Sequence, residues 1–247
     1  MRVGSALIVL VCAVLGSSQA FAQACPEAMQ SARRLVLVTV SDLSSSTATM
    51  RLYERAQPGA DWRRVGGVER VNVGSRGVAW GRAFRALAAA GEPVKTEGDK
   101  RTPAGIYAIG RPFGFGPSPL ANYLRLQPDN VCVEDPASPA YNTIATAEAV
   151  HHANSRDNMG VMPRYRRGLI VEYPTDAASR AGSCIFIHIW KGPSLGTSGC
   201  VTMPEHRVAA LQKFASEQPT VLALLPEAAL RKLDDCLSLT ATTAEAH

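Results

Sequence analysis

Short apolar runs rich in β-branched residues recur along the chain and are separated by clusters of Ser, Gly and Pro. This pattern predicts β-strands, and the short separations are typical of antiparallel strands that follow one another in a meander. The strands are expected at residues 35–40, 47–53, 68–73, 104–109, 169–173 and 220–225.

The apolar run at residues 183–190 is the strongest strand signal in the chain. Its side chains are nearly all apolar, as expected of a strand that is buried on both faces. His188 is the exception. A lone imidazole in such a strand is more often a hydrogen-bonded core residue than a functional group, so its role depends on what else lies nearby.

Two helices are predicted near the C-terminus. Pro204 and Glu205 suit a first helical turn, and apolar residues then recur at helical spacing up to Pro219. The first helix is therefore expected to begin just after Cys200. A second, short helix is expected at residues 226–233.

No repeat or linker divides residues 35–225, so we expect one domain, mostly β with flanking helices. Residues 23–34 form an N-terminal segment before it, and residues 226–247 a C-terminal helix and tail. Residues 111–167 are rich in Pro, Gly, Asn and Asp and predict loops with short elements. Loops of that length inside a domain are usually functional.

The N-terminus has the pattern of a secretory signal peptide. Arg2 precedes an apolar run at residues 6–15, and Ala20-Phe21-Ala22 forms an A-x-A cleavage site. We therefore expect residues 1–22 to be removed, with a mature chain that starts near Gln23 in the periplasm. An uncleaved anchor and a lipid-modified Cys25 are the alternatives.

The net charge of +5 favours anionic partners, among them nucleic acid, acidic lipid and the bacterial wall polymer. The Lys and Arg residues are scattered, without interleaved aromatic residues or a nucleic-acid motif, which argues against a nucleic-acid partner. No stretch other than the signal approaches membrane-spanning length. We expect a monomer.

Six cysteines occur in the chain, and five remain after removal of Cys12 with the signal. Cysteines of exported proteins tend to pair, so an odd number leaves one free thiol. Loop-closure entropy favours a bridge between Cys25 and Cys236, which enclose the domain. The sequence leaves the other pairings open.

Cys200 is the candidate nucleophile, and His188 the candidate base. A thiol attacks as thiolate and needs a low pKa and a nearby base. Gly199 permits close approach of the backbone, and the amides around Gly199 and Cys200 are candidate oxyanion donors. Considered alone, Cys200 would more often be a buried or disulfide-bonded residue.

A family resemblance changes that balance. His188 followed by Thr197-Ser198-Gly199-Cys200 resembles the signature of L,D-transpeptidase (YkuD-like) catalytic domains. Residues 95–107, with their Thr-Pro-x-Gly turn, and residues 135–142 resemble further stretches of the family, in the expected order. The resemblance covers roughly residues 35–225 and implies a β-sandwich or open barrel.

The resemblance also implies a reaction on the peptidoglycan stem peptide, without cofactor or metal. Cys200 would attack the carbonyl of the third stem residue and expel the terminal D-Ala, leaving a thioester that an amine resolves into a cross-link. A backbone carbonyl would orient His188. Hydrolysis by an L,D-carboxypeptidase or amidase on the same scaffold is the nearest alternative, and an inactive wall-binding module is another.

Two positions depart from the family pattern. Many members carry His where this chain has Ser198, and Arg where it has Thr202. Both departures remove a cationic or hydrogen-bonding group beside the thiol. The handling of the thiolate and of a substrate carboxylate is therefore expected to differ in this chain.

Weaker candidates remain. Four substrate-binding candidates are Thr197, Ser198, Trp190 and Tyr165, for which turn formation or packing is the alternative role. A charged turn is expected from Lys95, Glu97 and Asp99. Tandem His151-His152 with Asp157 raises a metal site, but the spacing fits no zinc motif and favours a surface loop. His206 is expected to be exposed.

Overall fold

The computed structural model describes residues 25–239 of the chain, and the expected signal segment lies outside them. Thirteen strands occur in this part. They are β1 Arg34–Val40, β2 Thr47–Glu54, β3 Arg63–Asn72, β4 Val78–Trp80, β5 Thr102–Gly114, β6 Leu124–Arg125, β7 Asn130–Val133, β8 Ile144–Thr146, β9 Arg156–Asp157, β10 Arg167–Val171, β11 Phe186–Ile189, β12 Val201–Met203 and β13 Thr220–Pro226.

Helices are few and short in the described part. The α-helices are α1 Glu27–Ser31, α2 Glu205–Glu217 and α3 Asp234–Leu237, and the 3₁₀ helices are Arg82–Leu87, Pro163–Tyr165 and Glu227–Leu233. Helix α2 packs on β10 and β11. Its buried Gln212 donates from Nε2 to the carbonyls of Phe113 in β5 and Gly168 in β10, which ties the helix to the sheet.

The main sheet begins as the predicted antiparallel meander. β1 pairs antiparallel with β2, and β2 with β3. The last strand, β13, returns to lie parallel beside β1, and β5 pairs antiparallel with β13. Because seven consecutive residues of β13 are buried, a place in the middle of the sheet is the one that covers both of its faces.

The sheet curls until its ends meet. Its strand order is β10-β11-β12-β3-β2-β1-β13-β5-β4, and β10 also pairs with β5. A single residue pair, Thr202 with Asn72, joins β12 to β3, so the pairing between neighbouring strands of the barrel wall is weak there. The prediction of a mostly β, single-domain barrel or sandwich with flanking helices is confirmed.

The region after Cys200 corrects one prediction. Val201–Met203 forms strand β12, and the helix begins only at Glu205, with Pro204 as its N-terminal cap residue. All three residues of β12 are buried, and they pair parallel with the apolar β11. Since that strand partner lies alongside, Cys200 precedes a strand and not a helix N-terminus.

Residues 111–167 hold more structure than their composition predicts. Strands β8, β7 and β9 form a separate three-stranded sheet, hereafter the small sheet. The disulfide Cys132–Cys184 joins β7 to the irregular segment that leads into β11. The small sheet is thereby fixed against the outer face of the barrel wall.

A second disulfide, Cys25–Cys236, confirms the pairing that loop closure favours and ties α1 to α3. Cys200 is the free cysteine of the described part, and it is buried. None of the helices between residues 25 and 239 has the length and apolar content that a membrane span requires.

Candidate active site

The parallel pairing of β11 with β12 places Cys200 and His188 on one face of the barrel wall. His188 lies opposite Thr202, and paired residues of parallel strands point to the same side. Cys200, two residues before Thr202, shares that side. Strand spacing and rise put the Cα atoms of Cys200 and His188 roughly 8 Å apart, within reach of an imidazole and a thiol.

The two faces of this wall differ in what they contact. Ile187 and Val201 point into the main core of the barrel. Phe186 and Cys200 belong to a second apolar cluster, which also contains Tyr165 and residues of the small sheet. The candidate site therefore lies between the barrel wall and the segments that cover its outer face.

His188 is buried and held in one orientation. Its Nδ1 lies 2.8 Å from the Ile189 carbonyl oxygen, and a carbonyl only accepts, so Nδ1 carries the proton and Nε2 is left as the acceptor. The Tyr165 ring packs on the imidazole, 4.9 Å between centroids. Burial lowers the pKa of His188 from 6.5 to about 4, a shift that the Ile189 hydrogen bond partly opposes.

The lowered pKa of His188 makes the folding stability of the protein depend on pH. The unfolded chain binds a proton at pH 6.5, whereas the folded chain does so only near pH 4. Stability from this group is therefore complete above pH 6.5 and falls toward pH 4, by about 3 kcal/mol in total. Urea unfolding over this pH range is expected to show a smaller acid loss in His188→Gln than in the wild type.

The exposed His206 offers a matched control, because it lies in the first turn of α2 and away from the core. His206→Gln is expected to keep the acid dependence of the wild type. Equal acid dependence in His188→Gln and the wild type would contradict a buried, neutral imidazole.

The Cys200 thiol is buried and protonated. Its Sγ lies 3.4 Å from the Cys184 carbonyl oxygen, to which the thiol donates. Burial raises the pKa of Cys200 from 9.0 to about 12, and the Phe186 amide, which lowers the pKa, offsets only part of this. The low thiol pKa expected from sequence is not found. The resting pair is a neutral thiol beside a neutral imidazole.

The turn before Cys200 is built by Thr197. Its Oγ1 accepts from the Gly199 amide at 3.0 Å and donates to the Cys200 carbonyl at 2.6 Å. The hydroxyl thus serves the turn, which was the alternative role for this residue. The Gly199 amide is occupied by the same contact, so it is not free to serve as the oxyanion donor that the sequence suggested.

Gly199 instead contributes its shape. Its φ of +154° is one that side chains disfavour, and an added Cβ would lie 3.2 Å from both the Arg101 carbonyl oxygen and Ile185 Cδ1. The next amide, that of Cys200, makes no hydrogen bond within the described residues. It is the better candidate for an oxyanion donor.

The other substrate-binding candidates occupy different environments. Ser198 is exposed at the tip of the turn, and Trp190 is half-buried directly after β11. Tyr165 is 2% exposed and packs on His188 and Phe186. Direct contact with a substrate is therefore open to Ser198 and Trp190, whereas Tyr165 supports the imidazole from below.

A polar group that sequence reasoning did not connect lies behind Tyr165. The Tyr165 hydroxyl donates to the Asp157 carboxylate, and Arg164 pairs with the same carboxylate at 2.8 Å. The guanidinium also lies over the Tyr165 ring, 4.7 Å from its centroid. The one signal in the sequence was that Arg164 directly precedes Tyr165, a residue already considered for the site.

The charged turn of residues 95–99 is structural. Lys95, 3% exposed, pairs with Asp99 at 2.6 Å and donates to the Thr96 carbonyl. Glu97 accepts hydrogen bonds from Tyr141 and from Ser183 at 2.7 Å. The turn therefore connects the small-sheet region to the segment that enters β11.

The tandem histidines lie apart from the Cys200 site. His151 and His152 are exposed with rings 5.5 Å apart, while Asp157 is engaged by Tyr165 and Arg164. Residues 25–239 contain no group of three or more side chains arranged to hold a metal ion.

A cleft lies between the barrel wall and the small sheet, and neither Cys200 nor His188 is among the residues that line it. Its cavity volume is about 480 Å³. Phe186 and Ile185 line it from the wall and Cys132 and Asn142 from the opposite side, with Arg111 and Glu172 as its charged residues. A short peptide is the size of ligand that such a cleft accepts.

The fold and this pair of side chains define a small β-barrel protein with a buried cysteine and histidine on one wall. The profile of the YkuD family, described as L,D-transpeptidase catalytic domain, matches residues 39–222. The chain belongs to this family. The expected resemblance is thereby confirmed.

Two solved structures resemble the chain. Both are of the helical cell shape determining protein Pgp2 from Campylobacter jejuni, the second being a mutant, with 16% and 17% identity and a TM-score of 0.42 each. The matches cover 81% and 78% of this chain but 51% and 47% of those chains, so the chain spans about half their length. No curated protein matches the chain.

Proposed function

We propose that this protein is a cysteine-dependent acyl transferase of the bacterial cell wall, which forms a thioester on Cys200 with a peptidoglycan stem peptide and passes it to an amine. The observation that carries the proposal is the placement of Cys200 and His188 on one face of the wall, with the Nε2 of His188 left as an acceptor. Family membership supports the same substrate class.

The protonation states support concerted base catalysis. Because the thiol pKa is about 12 and the imidazole pKa about 4, the resting site holds no thiolate. Nε2 would take the thiol proton while sulfur attacks the carbonyl carbon, and would later deliver that proton to the departing amine. The Ile189 carbonyl keeps Nδ1–H in place during both steps.

The negative oxygen of the tetrahedral adduct needs donors close to Cys200. The Cys200 amide is free within the described part, and the Phe186 amide already points at the sulfur. These two N–H groups are the oxyanion donors that we assign in place of Gly199. Each such donor is typically worth about 10² to 10³ in rate.

The setting of the proposal is the periplasm. Two disulfides in the described part fit an oxidising compartment, and the signal at residues 1–22 would direct export. We further propose that the mature chain acts as a monomer on stem peptides, without a cofactor.

Product masses test the proposal. Purified protein is incubated with muropeptides, with and without an added acceptor amine, and the products are read by mass spectrometry. Loss of D-Ala with formation of a new amide indicates transfer, whereas loss of D-Ala alone indicates an L,D-carboxypeptidase. A muropeptide that carries a covalently linked protein is included among the substrates, and release of that protein would identify an amidase. No change in any muropeptide, at high enzyme concentration, would contradict all three.

One observation favours an inactive wall-binding module instead. A buried thiol with a raised pKa is the usual state of an unreactive cysteine. The two candidates differ in whether a substrate analogue acylates the sulfur. Intact mass after incubation with a carbapenem is expected to show one adduct, located on Cys200, whereas a module that only binds the wall would show none.

A further inference from the structure

Both negative and positive side chains lie near the face of the wall that holds Cys200 and His188. Asp157 of β9 and Glu134, which follows β7, approach Cys200 from the small sheet, and Arg164 approaches it from the 3₁₀ helix. Arg164 and the exposed Lys191 act on His188. Arg164 is thus the positive group whose charge affects both Cys200 and His188.

The strand that follows Cys200 supplies no positive charge, because its residues are Val201, Thr202 and Met203. The oxyanion donors assigned above are neutral amides, so a substrate that carries a carboxylate would gain from a positive charge elsewhere near the site.

We infer that Arg164 binds the carboxylate of the residue that the substrate loses, and so replaces a cation that the chain lacks at Thr202. The leaving amine must lie next to His188, which returns its proton, and the carboxylate of the same residue lies one carbon away from that amine. Arg164 and His188 both contact the Tyr165 ring, which places the guanidinium in the neighbourhood of the imidazole. This inference rests on the proposed function.

The position of Arg164 is fixed by its neighbours. The guanidinium is held by Asp157 at 2.8 Å and rests on the Tyr165 ring, whose other contacts include the His188 ring. Asp157 is fixed in turn, since it lies opposite Cys132 of the disulfide-bonded strand β7. A guanidinium held in this way is preorganised for a carboxylate.

Arg164 also has N–H donors that no other described residue uses, and its side chain is accessible to solvent. A guanidinium has five N–H groups, and Asp157 engages one nitrogen while the Tyr165 hydroxyl lies beside the group. The Arg164 side chain is 21% exposed, so a ligand can reach it. Tyr165 and Asp157 are therefore positioning residues, whereas Arg164 touches the substrate.

A substrate pair tests the inference within the proposed reaction. A stem tetrapeptide with a free C-terminal carboxylate is compared with its carboxamide. The wild type is expected to prefer the acid by about 10- to 100-fold in kcat/KM, mostly through KM, as expected of a charge-assisted contact. Arg164→Gln is expected to lose this preference, and Arg164→Lys to keep part of it.

Alkylation of Cys200 tests the same contact without any peptide. Iodoacetate carries a carboxylate and iodoacetamide does not, and both need the same thiolate, so their rate ratio cancels changes in thiol pKa. In Arg164→Gln the iodoacetate-to-iodoacetamide ratio at Cys200, read by peptide mapping, is expected to fall about five- to tenfold. Thermal unfolding checks the fold of each variant, and Arg164→Lys provides the charge-retaining case.

Arg166 is the matched control, since it lies two residues further along, is exposed, and pairs with Glu205 on the surface. Arg166→Gln is expected to leave the ratio unchanged. A ratio that is unchanged in Arg164→Gln, or that falls equally in Arg166→Gln or in Lys191→Gln, would overturn the inference. If the peptide assay shows no turnover by the wild type while the alkylation ratio behaves as expected, the proposed function fails and the anion site stands.

Discussion

Cys200→Ala is expected to abolish acyl-enzyme formation and to lower turnover of muropeptides by at least about 10⁴-fold, while the fold stays intact. The thiol is the only free one within residues 25–239, so no neighbouring sulfur in that part can take its place. Intact mass after incubation with substrate or a carbapenem measures the adduct, and thermal unfolding measures the fold.

His188→Gln is the companion variant, because it removes the base and keeps the sulfur. It is expected to lose turnover by about 10²- to 10⁴-fold. Iodoacetamide should still label Cys200 in this variant, at a rate that rises with pH through pH 9 without a plateau, because the thiol pKa is about 12. Full turnover of muropeptides by Cys200→Ala, with unchanged product masses, would refute the mechanism.

Removal of one disulfide is expected to cost more stability, and removal of the other to cost more activity. The sequence separation of Cys132 and Cys184 is 52 residues, and that of Cys25 and Cys236 is 211 residues. Loop-closure entropy assigns about 4 kcal/mol to the first and about 5 kcal/mol to the second. Urea unfolding of the two double serine variants is therefore expected to show the larger stability loss for Cys25 and Cys236.

Activity is expected to follow the reverse order. The Cys184 carbonyl accepts the Cys200 thiol, and Cys132 lies opposite Asp157, so loss of this bridge disturbs both sides of the site. A displacement of about 1 Å can cost about 10²-fold in rate. Turnover at 25 °C should fall by that order in the Cys132 and Cys184 variant and by less than about threefold in the other.

Measurements at temperatures where both variants remain folded separate the two effects. Equal loss of turnover in both variants would indicate that the Cys132–Cys184 bridge serves stability alone. Retained turnover in the Cys132 and Cys184 variant would show that the small sheet keeps its place through packing.

Local sequence patterns predicted several elements well. The runs at residues 35–40 and 47–53 are strands β1 and β2, and the buried run around His188 contains β11. Such elements depend on side-chain alternation and burial, which short stretches of sequence encode. The odd cysteine count also indicated one free thiol, and Cys200 is free in the described part.

Other elements depended on pairing partners outside their own short stretch of sequence. Val201–Met203 could not be assigned to a strand from three residues, because its hydrogen-bonding partner is β11. The same holds for the small sheet, whose strands have two to four residues each. Short elements gain their stability from pairing and packing more than from propensity.

The order and local setting of Cys200 and His188, together with a mostly β domain of the YkuD family, could be read from the amino-acid sequence alone. Their protonation states, the hydrogen bond that occupies the Gly199 amide, and the presence of Arg164 and Asp157 near the same face became visible only in the folded chain. The physical reason is that a motif records neighbours along the chain. Burial and charge at a buried atom, by contrast, are set by every element that packs against it.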